Sequence, residues 1–153
     1  MMEKYEQRGF KFMIDVLADK NQGLYPVKFP YANRIAYSDG HTFFVTDTAV
    51  INCKEAQKSP VNEKYIEDDK CLYTDFVEVT GVHFAGKHEY YLFEGNGHTV
   101  KVVTKNFKKV FGDPFKSKYR FKAEKDKAFP LLLVYNEGRL IGGNTQLVKN
   151  NEG

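Results

Sequence analysis

The stretch that decides the fold is Val100–Val148, which reads VKVVTKNFKKVFGDPFKSKYRFKAEKDKAFPLLLVYNEGRLIGGNTQLV. It predicts, in chain order, a strand, a short basic helix, a charged strand, a hydrophobic strand and a closing strand. Their bounds are Val100–Thr104, Lys105–Phe111, Tyr119–Lys125, Phe129–Tyr135 and Arg139–Val148. Asn136-Glu137-Gly138 forms the turn between the last two strands, because Gly accepts the positive φ that a tight hairpin turn requires.

The short helix of this stretch is strongly amphipathic. Its buried face has the spacing i, i+3, i+4 and consists of Phe107, Val110 and Phe111. Its solvent face consists of Lys105, Lys108 and Lys109. Thr104 is the expected N-cap, since its hydroxyl can accept from an unpaired amide of the first turn. Gly112 is expected to end the helix, and Pro114 cannot continue it.

A second amphipathic helix is predicted near the start of the sequence, over Glu3–Lys20. Its apolar residues lie near the i, i+3, i+4 spacing and form one stripe: Tyr5, Phe12, Met13, Val16 and Leu17. Gly9 lowers the helix propensity of the first half by about 1 kcal/mol relative to Ala. We therefore expect the helix to start effectively near Phe10.

The region between the two helices predicts hairpins. Arg34–Tyr37 and His41–Thr46 flank Ser38-Asp39-Gly40, and an Asp-Gly pair between β-rich runs is a strong turn signal. Val82–Phe84 is expected to pair with Glu89–Glu94. A turn at Gly95-Asn96-Gly97 then leads into the strand before the basic helix.

Between these hairpins the sequence becomes polar and acidic. Residues 54–70 contain Pro60 and no clear period, so they predict a surface insertion. Leu72–Val79 is compatible with a strand or a short helix, and we favour the strand. Residues 149–153 predict a frayed tail.

Length and composition favour one globular domain. The 153 residues are 42% hydrophobic, which is enough for a packed core. Cys53 and Cys71 are too few for a disulfide framework and fit no metal spacing, so free thiols are expected. No apolar run approaches the roughly 20 residues of a membrane span, and residues 1–20 are too charged for a signal peptide. We therefore expect a cytoplasmic protein with no membrane contact.

The positive charge is concentrated. Ten basic and three acidic residues lie between Lys101 and Lys127, a net charge of +7, whereas the whole chain carries only +3. Such a basic element can attract a polyanion over about one Debye length, roughly 8–10 Å. The alternative is a solvated, lysine-rich surface that keeps the protein soluble.

No motif predicts catalysis. The four histidines, His41, His83, His88 and His98, lack the paired spacing of metal sites. No Ser or Cys has the local pattern of an activated nucleophile, and the glycine pairs do not match a phosphate-binding loop. We expect a protein that is not an enzyme and that has no cofactor, no metal site and no catalytic residues.

The order of elements, together with three segments, resembles one domain of the bacterial sliding clamp, the processivity subunit of DNA polymerase III. The segments are RIAYSDGHTFFVTDTAV, VKVVTKNFKKVFG and FPLLLVYNEGRLIGG. The clamp's Thr-Asp-Gly-type turn corresponds either to Thr46-Asp47-Thr48 or to Ser38-Asp39-Gly40. A clamp chain has three such domains, so a chain of this length either self-assembles or does not encircle DNA.

The resemblance implies an α+β fold that is clamp-domain-like, with a largely antiparallel sheet and two helices packed on one face. It also implies that the helices carry the DNA-facing charge, on Arg8, Lys11, Lys105, Lys108 and Lys109. Such lysines contact phosphates without reading the sequence. The implied partners are double-stranded DNA and, through self-association, further copies of the chain.

Three functional hypotheses remain open at this point. The first is a non-enzymatic, DNA-associated, sliding-clamp-like module. The second is a protein-binding adaptor or inhibitor domain that keeps the fold without contacting DNA. The third is a small hydrolase that uses acidic residues and a divalent metal.

Overall fold

Two helices and nine strands form in the parts of the chain that the computed structural model describes, residues 4–18, 27–28, 34–38, 41–47, 76–125 and 130–146. The helices are α1 (Lys4–Ala18) and α2 (Thr104–Phe111). The strands are β1 (Val27–Lys28), β2 (Arg34–Ser38), β3 (Thr42–Asp47), β4 (Glu78–Ala85), β5 (His88–Gly95), β6 (His98–Val103), β7 (Arg120–Ala123), β8 (Leu132–Asn136) and β9 (Arg139–Asn144).

The strands form two antiparallel sheets. The larger sheet has six strands in the order β1-β2-β3-β9-β8-β7, and the smaller has three in the order β4-β5-β6. The sheets meet at a bridge where the Val77 amide donates to the carbonyl oxygen of Phe121, at 2.8 Å. The predicted α+β class with largely antiparallel pairing is confirmed.

Tight turns close the hairpins as the sequence predicts. Asn96 and Gly97 join β5 to β6 with φ of 53° and 76°. Glu137 and Gly138 join β8 to β9 with φ of 52° and 80°. Positive φ at both central residues gives the backbone twist that matches two antiparallel strands.

Helix α1 runs through Gly9, so the expected effective start near Phe10 is wrong. Gly9 is buried in the middle of α1, over the ring of Phe44 in β3, and any Cβ at this position would collide with that ring. The glycine brings the helix close to the sheet. The packing gained outweighs the loss of roughly 1 kcal/mol in helix propensity.

The expected N-cap of α2 is also wrong. The N-cap is Val103, which makes no side-chain capping bond, and Thr104 is the first helical residue. The Thr104 hydroxyl instead donates to Oε1 of Glu89, at 2.8 Å. Strand β6 leads into α2 without a loop, which leaves the Thr104 side chain within reach of β5.

An aromatic cluster fills the space between α2 and the strands of both sheets. The ring centroids of Phe93 and Phe121 are 4.9 Å apart, and Phe107 of α2 lies 5.8 Å from Phe93 and 5.9 Å from Phe121. Phe93 and Phe107 are 0% exposed and Phe121 is 4% exposed. This cluster fixes the buried side of α2 and thereby the side that faces solvent.

Several strands have bounds that differ from those predicted from the sequence. The three strands after α2 are shorter than predicted, and β4 begins only at Glu78. Residues 72–75, the insertion at 54–70, the tail at 149–153 and parts of both possible Thr-Asp turns lie outside the described residues. In the described part of the chain, no helix is long and apolar enough to cross a membrane.

Candidate nucleic-acid interface

Strand β3 carries both helices on one face. The Thr42 hydroxyl donates to the backbone carbonyl of Asn106 in α2, at 2.8 Å. Phe44 packs edge-on against Phe10 of α1, with ring centroids 5.9 Å apart. Side chains two residues apart in a strand project to the same face, so α1 and α2 form one layer on the six-stranded sheet. The helices also contact each other directly.

Helix α2 presents its lysines to solvent. Phe107, Val110 and Phe111 are at most 1% exposed, whereas Lys105, Lys108 and Lys109 are all exposed. The helix contains no acidic residue, so it carries a net charge of +3. Two of the lysines lie in its last turn, where a positive charge is favourable beside the unpaired carbonyl groups.

The two predicted site residues of α1 differ in their surroundings. Lys11 is exposed. Arg8 is half-buried, and its guanidinium lies beside Gly112, the C-cap residue of α2. Four of the five predicted side chains are therefore exposed on the helices, and the fifth is held at the contact between them.

Lys108 also contacts the three-stranded sheet. It hydrogen-bonds to the hydroxyl of Tyr91, which is 3% exposed. Burial raises the pKa of Tyr91; the ammonium of Lys108 partly offsets that rise, and Asp113 and Glu89 add to it. The Tyr91 hydroxyl is therefore neutral at physiological pH and holds Lys108 beside the edge of the helix layer.

A further lysine on α1 was not among the predicted site residues. Lys4 is exposed and lies seven residues before Lys11, about two helical turns, which places both on one side of α1. This spacing is visible in the sequence.

The helix layer provides exposed cations. Among the described residues, no three His, Cys, Asp or Glu side chains are grouped so that they could hold a metal ion. The exposed ammonium groups of α1 and α2 can donate to phosphate oxygens, which requires no particular base sequence.

No known family model, characterised protein or solved structure matches this chain.

Proposed function

We propose that the layer formed by α1 and α2 contacts the phosphate backbone of double-stranded DNA. In this proposal the protein is a non-enzymatic, sliding-clamp-like module that self-associates in order to surround the duplex. The observation that supports it is the packing of both helices on one face of the large sheet, with Lys11, Lys105, Lys108 and Lys109 exposed.

A few lysines suffice for such a role because retention does not depend on tight contacts. Each ammonium that neutralises a phosphate releases a counterion, which makes binding weak and strongly dependent on salt. In a closed assembly the topology keeps the protein on DNA, and the lysines only position it. A single copy of this domain lacks that closure.

A salt series tests the proposal. Binding of a fluorescent DNA duplex is measured by anisotropy at several KCl concentrations. With four lysine contacts, the slope of log K against log salt is expected to be about −3.6, at roughly −0.9 per phosphate. A slope near zero, or no binding at the lowest salt, would contradict DNA contact.

Sedimentation velocity over a range of protein concentrations tests the second half of the proposal. The expected result is a reversible assembly of two or more copies whose population rises when DNA is added. A protein that stays monomeric with and without DNA would contradict the clamp-like assembly. Only the salt-dependent contact between the lysines and DNA would then still be proposed.

The other two hypotheses differ in their support. Among the described residues, no cluster of metal-binding side chains supports the hydrolase hypothesis. A protein-binding role is favoured by a specific observation, the exposure of the large apolar side chains of Val82, Phe84 and Phe115.

A further inference from the structure

Strand β4 forms an open edge of the three-stranded sheet. It pairs with β5 on one side, and on its other side no described strand pairs with residues 81–85. Val82, His83 and Phe84 are all exposed, Phe84 to 71% and Val82 to 43%. Because neighbouring side chains of a strand point to opposite faces, neither face of β4 is covered at these residues.

The open edge lacks the features that usually prevent strands from pairing. Charged side chains, Pro and β-bulges on an edge strand commonly block pairing with another chain. The segment Gly81–Ala85 contains no Lys, Arg, Asp, Glu or Pro, and the bulge of β4 precedes it. The ring of His83 stacks on that of Tyr90 in β5, with centroids 5.7 Å apart, and so leans towards β5. The backbone groups that point away from β5 are therefore accessible to a further strand.

A second copy of β4 fits this edge in a register centred on His83. Two identical antiparallel strands are related by a two-fold axis perpendicular to the sheet, so each residue faces the same side in both copies. Residues directly opposite each other share a face as well. An axis at His83 pairs the bulge-free segment Gly81–Ala85 with itself. It places Val82 of each copy opposite Phe84 of the other.

This register covers the exposed apolar side chains of β4. Val82 lies opposite Tyr91 in the pairing of β4 with β5, and Tyr91 is buried in the core. Val82 and Phe84 therefore project from the core-facing side of the sheet. Two Val–Phe pairs would form there across the axis, and pairs of an aromatic with a β-branched residue stabilise antiparallel sheets.

The distribution of charge favours the same arrangement. Glu78 begins β4 and Lys87 follows its end, and both are exposed. Antiparallel pairing brings Glu78 of each copy towards Lys87 of the other. On the core-facing side, the positive charges of Lys108 and Lys87 are balanced by the negative charges of Glu89 and Asp113. No net charge there repels a second copy.

We propose that two copies of this chain associate by antiparallel pairing of their β4 strands. The two small sheets then become one sheet of six strands. Helix α2 packs on the core-facing side, where Phe107 lies 5.8 Å from Phe93, so the two α2 helices share one side of the joined sheet. A two-fold contact closes with two copies and leaves no open β4 edge. The dimer rests on the proposed function only in its self-association, and it forms without DNA.

Sedimentation velocity of the full chain without DNA tests the pairing. The expected result is a monomer–dimer equilibrium with no larger species. Phe84→Lys, which gives the edge a charge of the kind that protects natural edge strands, should weaken the dimer about tenfold or more. Thermal melts verify that the variant is folded. A monomer at all concentrations, or a dimer that Phe84→Lys leaves unchanged, would overturn the proposal.

Ile14→Lys is the matched control for Phe84→Lys. Ile14 is an exposed apolar residue of α1, at 56%, and the change adds the same charge away from β4. It should leave the dissociation constant of the dimer within about twofold of that of the unchanged protein. Equal weakening by both variants would mean that added charge, and not the β4 edge, opposes the dimer, and would overturn the pairing.

Disulfide formation tests the register, in a background with Cys53→Ser and Cys71→Ser. His83→Cys puts two thiols directly opposite each other, with Cα atoms about 4.5–5.5 Å apart, a distance that a disulfide spans. With Val82→Cys the two thiols lie diagonally, at roughly 7–8 Å, which is too far. Mild oxidation should therefore link His83→Cys into dimers and leave Val82→Cys largely unlinked. Stronger linking of Val82→Cys, or no link at either position, would overturn the pairing.

The dimer and the DNA contact fail separately. Lys105→Glu with Lys109→Glu should leave the dimer intact, because the helix layer takes no part in the pairing. A protein that binds DNA but stays monomeric would overturn only the dimer. A monomer that binds peptides selected from a phage-displayed library, and loses them in Phe84→Lys, would mean that β4 accepts a strand of another protein. That result would also overturn the proposal.

Discussion

The guanidinium of Arg8 in α1 lies beside Gly112, the residue that ends α2. A Cβ at Gly112 would lie 2.9 Å from Nη1 of Arg8, and Gly112 itself has a φ of 71°. The last carbonyl groups of a helix carry partial negative charge, so the position suits a cation. The guanidinium thus lies where α1 meets the end of α2, at the surface of the proposed DNA contact.

Replacing Gly112 by Ala should therefore destabilise the protein through two effects. With φ of 71° and ψ of −139°, Gly112 lies in a region that essentially only glycine adopts, so a residue with a Cβ costs about 1–3 kcal/mol there; the added methyl must also displace the flexible end of Arg8. Gly138→Ala is the matched control, since Gly138 has a φ of 80° but nothing within 4 Å of its Cβ position. Urea denaturation should show the larger loss at Gly112, and equal losses would mean that the Arg8 contact contributes nothing.

Replacing Gly9 by Ala should destabilise the protein although Ala is the better helix former. The added Cβ collides with the ring of Phe44, and overpacking of this kind typically costs about 1–3 kcal/mol, against a propensity gain of about 1 kcal/mol. Thermal melts compare the variant with Lys11→Ala, an exposed position on the same helix. A higher melting temperature for Gly9→Ala would show that α1 can move away from β3 freely.

Reversing the charge of the α2 lysines should abolish DNA binding. The triple change Lys105→Glu, Lys108→Glu and Lys109→Glu places carboxylates where phosphates would lie. The changes at Lys105 and Lys109 should alter stability by less than about 0.5 kcal/mol each, whereas loss of the Lys108 bond to Tyr91 should cost about 0.5–1.5 kcal/mol. Anisotropy measures DNA binding and a thermal melt measures stability.

The control for this charge reversal is the pair Lys87→Glu and Lys101→Glu, which are exposed lysines of the small sheet. It should retain most of the DNA binding. Equal losses in the triple and control variants would mean that overall charge, and not the helix layer, attracts DNA.

Alkaline pH should destabilise the protein partly through Tyr91. Because burial raises its pKa, the folded state holds the Tyr91 proton more tightly than the unfolded state does. The stability that Tyr91 contributes is complete below about pH 10, the usual tyrosine pKa. It is lost as the pH rises above that value and through the higher pKa of the folded state. Tyr91→Phe should flatten this part of the stability curve.

Urea denaturation from neutral pH into the alkaline range compares the two proteins. Removal of the hydroxyl also removes the bond to Lys108, which should lower the stability near pH 7 by about 0.5–1.5 kcal/mol. A wild-type stability that falls no faster than that of Tyr91→Phe would contradict a buried, neutral tyrosine.

Local signals in the sequence predict much of the fold. The faces of α2 follow from the spacing of Phe107, Val110 and Phe111, and the hairpin turns follow from Asn96-Gly97 and Glu137-Gly138. Each signal involves residues within a few positions of one another. Their structures depend on backbone sterics and on one hydrophobic face, which short stretches encode.

Contacts between segments that lie far apart in the chain could not be predicted from the sequence. The bond from Thr104 to Glu89 depends on strand pairing, and the placement of Arg8 depends on how two helices pack. The reason for a glycine at position 9 of the chain, Gly9, becomes clear only when the structure shows the ring of Phe44 beneath it. The exposed lysines of the candidate site were predictable, whereas the exposure of Val82 and Phe84 depends on which part of the small sheet α2 leaves uncovered.

The pairing of β3 with β9 bears on how the protein folds. Within this buried pairing, the Asn144 side-chain amide donates to the hydroxyl of Thr42, a residue 102 positions earlier, at 2.9 Å. During synthesis, the first helix and its strands must wait for the last hairpin to leave the ribosome before the large sheet can close. Chains dominated by such distant pairings fold slowly. A nascent chain arrested before residue 139 would leave the edges of β3 and β8 without their partner strand, and exposed strand edges promote aggregation.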